Sequence, residues 1–254
     1  MSTKYNVLFN GHQALSEGLQ ELNENFEDNY WEVLPIEPMT VDELEVPDTG
    51  LTEGPQTPFD KAEEKAVKAV QKHSMVITRQ ERNPQIDDAY LLLGKARYYS
   101  KRFVPALEAF NFVILNYPGA KLIQETKIWQ SKTLIRLQNE EQAIENLNAL
   151  LKGSSIEEET VESAHTALAM AYESLGNTEA LISSLEKAVA FSNNIEQTAR
   201  NLFVLGQYYS LKDETENAMQ AFDQIIELRK APFKYKIHAY IEKAKIADTP
   251  ESQQ

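Results

Sequence analysis

Residues 90–118 read Tyr90-Leu91-Leu92-Leu93-Gly94-Lys95-Ala96-Arg97-Tyr98-Tyr99, then Ala106, Phe110 and Val113, and close on Tyr117-Pro118. Apolar residues recur here at helical spacing, in two runs separated by a polar break, and the proline ends the second run. Such a stretch predicts a helical hairpin. Its distinctive mark is the glycine among large apolar and aromatic neighbours, the place where a second helix crosses too closely for a side chain.

The same pattern returns three times. Trp129, Ser131 and Leu134 precede Ala143, Leu147 and Leu150; Leu168, Ala169 and Tyr172 precede Leu181, Leu185 and Ala188, across a turn at Leu175-Gly176-Asn177; Leu205, Gly206 and Tyr209 precede Ala218, Phe222 and Ile225. The small residues Gly94, Ser131, Ala169 and Gly206 are 37, 38 and 37 residues apart. The tetratricopeptide repeat has this layout with a period of about 34, so four full units with slightly long connections are expected. The fold class is therefore all-α, a tetratricopeptide-repeat solenoid over residues 60–247. Phe233 to about Ala247 is expected to be the first helix of a fifth unit that lacks its partner, capping the array or marking truncation of a longer one.

Outward from the repeats, Val7, Leu8, Leu15, Leu19, Leu22 and Phe26 mark residues 1–34 as a helical segment, one long helix or a hairpin hinged near Gly11. Residues 35–59 hold Pro35, Pro38, Pro47, Pro55 and Pro58 with Gly50 and Gly54, a density no helix survives. With Glu37, Asp42, Glu43, Glu45, Asp48 and Glu53 this stretch reads as an acidic tether or, alternatively, a docking strap. A helix capped by Asp60 is expected to run through Val67, Val70 and Val76 towards Asn83-Pro84. Residues 248–254 read as a disordered tail.

Composition narrows function. Twenty-five Lys and Arg against 39 Asp and Glu give a net charge of −14, which opposes nucleic acid and anionic lipid. Without cysteine there is no disulfide, thiolate metal site or cysteine nucleophile. No apolar run approaches the ~20 residues of a membrane span, and Met1-Ser2-Thr3-Lys4 opens no signal peptide. His12, His73, His165 and His238 share no metal-ligand spacing. Gly94-Lys95 and Gly206-Gln207 belong to no phosphate-binding loop, and Glu157, Glu158 and Glu159 suit a helix N-terminus. No catalytic set, cofactor or metal is expected.

What remains is a protein-binding surface. In register, the exposed side of each first helix is expected to present Leu91, Lys95 and Tyr98; Ile128, Lys132 and Arg136; Met170 and Glu173; and Arg200, Phe203 and Gln207. Lys95, Lys132, Arg136 and Arg200 would make this concave face locally basic, suited to an extended, partly acidic peptide with apolar anchors. It does not reproduce the lysine and asparagine clamp of chaperone-binding repeat domains.

Three blocks carry a more particular likeness: Thr3-Lys4-Tyr5-Asn6-Val7-Leu8-Phe9-Asn10-Gly11 with Asn29-Tyr30-Trp31-Glu32-Val33-Leu34-Pro35, Lys61 to Val67 with Lys72 to Met75, and Glu81 to Tyr99. Over about the first 120 residues the chain resembles the SprE/PorW proteins of Bacteroidetes. The resemblance implies a large outer-membrane lipoprotein facing the periplasm, required for type IX secretion and gliding motility, that links the periplasmic ring and motor side to the outer-membrane translocon. The chain departs from that family in lacking a lipid-modified cysteine and in ending after about five units, as an excised N-terminal fragment would. The alternative expectation is a generic co-chaperone or assembly adaptor that takes an extended peptide in its groove.

Overall fold

The computed structural model describes residues 2–39, 56–73, 76–77, 80–81, 85–153, 155–191 and 193–248. The acidic residues Asp42 to Glu53 of the expected tether, and residues 249–254 of the expected tail, lie outside them. Eleven helices are present among the described residues: α1 (Ser2–Asn25), α2 (Pro58–His73), α3 (Ile86–Tyr99), α4 (Phe103–Asn116), α5 (Ile123–Arg136), α6 (Glu140–Leu151), α7 (Glu158–Ser174), α8 (Thr178–Val189), α9 (Ile195–Leu211), α10 (Thr215–Glu227) and α11 (Phe233–Ala247). The all-α helical-repeat fold expected from the periodicity is the fold observed. The single departure among the described residues is a two-residue antiparallel pair, Val76↔Glu81 and Ile77↔Gln80.

That pair corrects one helix. α2 stops at His73 and does not continue towards Asn83-Pro84. Its start also differs from the expected Asp60 cap. Thr57 accepts from the Asp60 amide at 3.1 Å while the Asp60 carboxylate accepts from the Thr57 amide at 2.9 Å. This reciprocal pair satisfies two of the amides that a helix N-terminus leaves orphaned, with Pro58 at the first helical position, where its missing N–H costs nothing. Helix α1 runs unbroken through Gly11, because the bare backbone there faces a neighbour: a Cβ would lie 2.7 Å from the Leu92 side chain and 3.2 Å from that of Lys65.

The chain forms two compact units, Met1–Phe26 with Met39–Asn146, and Glu27–Pro38 with Leu147–Gln254. In the first, α1 packs on α2, α2 on α3, α3 on α4 and α4 on α5. Its core is built from alanines and leucines: Leu8, Ala14, Leu15, Ala62, Ala66, Ala89, Leu92, Leu93, Ala96 and Ala109, with Phe59 and Tyr99 stacked at its edge. Alanine-rich faces let helix axes approach, and the leucines fill the remaining space. In the second unit α7 packs on α8, α8 on α9, α9 on α10 and α10 on α11. Buried Glu162 ties α7 to the start of α9, accepting from the Asn193 and Asn194 amides and the Thr198 hydroxyl. Three donors make that buried carboxylate tolerable.

The repeat register is written twice. The small residues Gly94, Ser131, Ala169 and Gly206 each stand 16 residues before a fully buried large one, Phe110, Leu147, Leu185 and Phe222. Glycine faces phenylalanine in the first and last hairpins: a Cβ at Gly206 would meet the Phe222 ring at 2.7 Å, and one at Gly94 would clash with the edge of the Phe110 ring. Seven residues after each small site stands a residue of positive φ: Lys101 (60°), Gln138 (58°), Gly176 (66°) and Asp213 (59°). Beyond each of these, Arg102, Asn139, Asn177 and Glu214 donate to the carbonyls of Arg97, Leu134, Tyr172 and Tyr209. These are Schellman closures, which reverse the chain between paired helices.

Candidate peptide groove

In the second unit, residues 27–38 form no helix and lie as a strap against α9 and α11, with a turn where the Glu32 amide donates to the Asn29 carbonyl at 3.1 Å. Pro35 and Pro38 forbid helix, and alternation does the rest: Leu34 and Ile36 are each 1% exposed, while Pro35 between them points outward. The main chain of the strap is held by side chains of α9. The Gln207 amide reads it twice, its oxygen accepting from the Leu34 amide at 2.9 Å and its nitrogen donating to the Glu32 carbonyl at 2.8 Å. Arg200 donates to the Pro35 carbonyl at 2.8 Å, and Gln197 to the Ile36 carbonyl at 3.1 Å. These four strap backbone groups thus find side-chain partners in place of a helical or sheet ladder.

Charge and rings fix the other end. Arg200 also donates to the Asp28 carboxylate at 2.6 Å, and both side chains are only 2% exposed. Lys234 approaches the same carboxylate at 3.5 Å, and the Tyr235 ring lies 5.7 Å from the guanidinium. Tyr30 stacks flat on His238 at 3.4 Å and meets Phe203 edge-on at 5.3 Å. Burial depresses the His238 pKa; burial, followed by the Asp28 charge, pushes the Tyr30 hydroxyl above its usual range. Trp31, 85% exposed, rests on the Lys245 ammonium at 4.7 Å.

Arg200, Phe203 and Gln207 were expected on an exposed face. They stand on the face that takes an extended segment, but they are buried, because the chain's own strap covers them. Met170, on α7, is also buried at 5% rather than exposed. In the first unit Leu91 and Tyr98 are buried too, packed with Met39, Ala106 and Phe110. Ile128 on α5 is buried at 5%. Three basic residues of that unit, Lys95, Lys132 and Arg136, converge on two rings. Lys132 sits 4.2 Å from Trp129 and 5.4 Å from Tyr98, Lys95 pairs with Glu125 and lies 5.3 Å from Trp129, and Arg136 donates to the Tyr98 hydroxyl at 3.1 Å. Cations over aromatic faces hold their charge by ring quadrupoles as well as by carboxylates.

Sequence reasoning missed Gln197, Lys234, Tyr235 and His238 in the groove, and Asp28, Tyr30, Leu34 and Ile36 in its occupant. The available signal was the alternation Leu34-Pro35-Ile36 beside an acidic aromatic run, read as helix end and linker. Among the described residues no three His, Cys, Asp or Glu side chains cluster as a metal would require, and no helix is long and apolar enough to cross a membrane.

Paired antiparallel helices with small residues at their crossings and Schellman closures between them define a helical-hairpin repeat protein. Two of the hairpins match a known repeat: the family model "Tetratricopeptide repeat" matches residues 162–195 and 199–232. Among solved structures, the chain is similar to a thermophilic tetratricopeptide-repeat protein of Thermus thermophilus, at 16% identity and a TM-score of 0.54, over 72% of this chain and 90% of that one. It is also similar to the apo form of RapI, at 15% identity and a TM-score of 0.56, over 77% of this chain and 56% of RapI. No curated protein matches the sequence. These likenesses establish the fold.

Proposed function

We propose that this protein is a non-catalytic scaffold that binds other proteins, and that it serves as an adaptor of the type IX secretion system. The observation that carries the scaffold reading is the groove of α9 and α11, which holds an extended segment by its main chain through Gln207, Arg200 and Gln197. Side chains that pair with backbone groups grip a peptide whatever its sequence, while burial of particular side chains, as of Leu34 and Ile36, selects among peptides. The secretion reading rests on the likeness of about the first 120 residues to the SprE/PorW proteins. On it, the chain sits in the periplasm, held to the outer membrane by a lipid anchor upstream, and links ring and motor subunits to the translocon in secretion and gliding. A generic co-chaperone or assembly adaptor is the second reading. It is favoured by the position of the matched repeats, residues 162–232, outside the block of likeness.

Crosslinking of the full-length tagged protein in a secreting Bacteroidetes cell envelope tests this. Recovery of type IX ring or translocon subunits supports the adaptor role. Recovery of cytosolic chaperones in their place overturns it in favour of the second reading.

A further inference from the structure

We propose that residues 27–38 are a resident ligand of the α9–α11 groove, and that a partner binds there by displacing them with an extended segment of the same chemistry. That segment carries a carboxylate six residues ahead of a Leu-Pro-Ile-like triplet, with an aromatic ring between. The inference rests on the scaffold reading and not on the secretion reading.

Four features distinguish a seated ligand from a piece of core. The strap makes no backbone ladder; its main-chain groups are paired by side chains of α9, which free rotation can release and re-form with another chain. Its anchors are few and discrete: Leu34 and Ile36, each 1% exposed, Asp28 on Arg200, and Tyr30 between His238 and Phe203. Trp31 and Pro35 leave their outer sides in solvent, so an incoming chain can begin to exchange from there. The charges complement one another as in a bound peptide: Asp28 meets Arg200 and Lys234 across the contact, and Lys245 lies under Trp31. A tethered ligand competes at an effective concentration of order millimolar, so an external peptide meets a filled groove until the strap is weakened.

The probe is a fluorescein-labelled peptide of residues 26–39 of this chain, titrated with the full chain and followed by anisotropy. Wild type should bind it weakly; Leu34→Ala/Ile36→Ala, which loosens the strap in place, should bind at least ~10-fold more tightly, as release from tethered competition requires. Adding Arg200→Gln to that variant should abolish the gain. Equal binding by wild type and the loosened variant, or a gain insensitive to Arg200→Gln, overturns the proposal. Hydrogen exchange of wild type decides the matter without any variant. The Leu34 amide should exchange through a local opening, well ahead of the α9 amides. If it exchanges only together with them, the strap is an integral part of the core and the proposal fails. The secretion reading can fail in the envelope experiment while both of these results stand.

Discussion

Gly94→Ala is the sharpest probe of the helix crossing. An exposed Gly→Ala change inside a helix ordinarily stabilises by ~1 kcal/mol through helix propensity. At Gly94 the new methyl would overlap the edge of the Phe110 ring, which is fully buried. Overpacking of this kind costs roughly 1–3 kcal/mol, and a rigid ring places the cost at the upper end. The net expectation is a loss of about 1–2 kcal/mol, opposite in sign to the propensity effect. Phe110→Leu alone should cost roughly 1–2 kcal/mol, by opening space over the glycine. The double variant recreates the Ala169 and Leu185 pairing that the chain already uses in a later hairpin, so its cost should fall short of the sum by at least ~1 kcal/mol. Trp129 stacks 6.5 Å from Phe110 and reports this site once Trp31, the other tryptophan, is replaced by Phe. Urea unfolding followed by Trp129 fluorescence should show the midpoint of Gly94→Ala lowered, with an unchanged slope. A raised midpoint, or additivity in the double variant, would refute the assigned crossing.

Arg200→Met should destabilise the second unit by ~3–5 kcal/mol, because Asp28 is left buried without its main counterion, and Asp28→Asn in the same background should recover part of that loss in urea melts. Asp213→Gly should raise stability by ~0.5–1 kcal/mol, because φ of 59° strains a residue with a Cβ, whereas Gly176→Ala should lower it by a similar amount; thermal melts of the two read the opposite signs. Stability should fall as pH drops below the ordinary histidine value of about 6.5. His165 and His238 both titrate low in the folded chain because burial disfavours their charged forms, so the unfolded chain takes up protons first. The stability present at neutral pH is lost through that window, and His165→Gln with His238→Gln should flatten the slope of urea midpoint against pH.

The helices of this protein, their pairing and the register of its four hairpins could be read from local signals. Spacing of 37, 38 and 37 residues between small sites, with large apolar residues in fixed positions around them, follows from helix geometry acting over a few turns, and geometry of that range is carried by adjacent residues. Arg200, Phe203 and Gln207 share one side of α9, as residues three and four apart must, but that side is buried and not the exposed face expected. Element ends were less legible. Asp60 looks like a cap, yet Thr57 does the capping with Asp60 as its reciprocal partner, and the helix behind them halts at His73. What covers the groove was legible only as far as the alternative reading of residues 35–59 as a docking strap. Residues 27–38 carry an acidic, proline-containing sequence, and their conformation is set by partners more than 160 residues away, Gln207 with Leu34 and Arg200 with Pro35. Beyond the turn that Asn29 closes with Trp31 and Glu32, the segment has no internal hydrogen bonds to announce it, so only the tertiary structure, by offering side-chain partners, decides that it is a strap and where it lies.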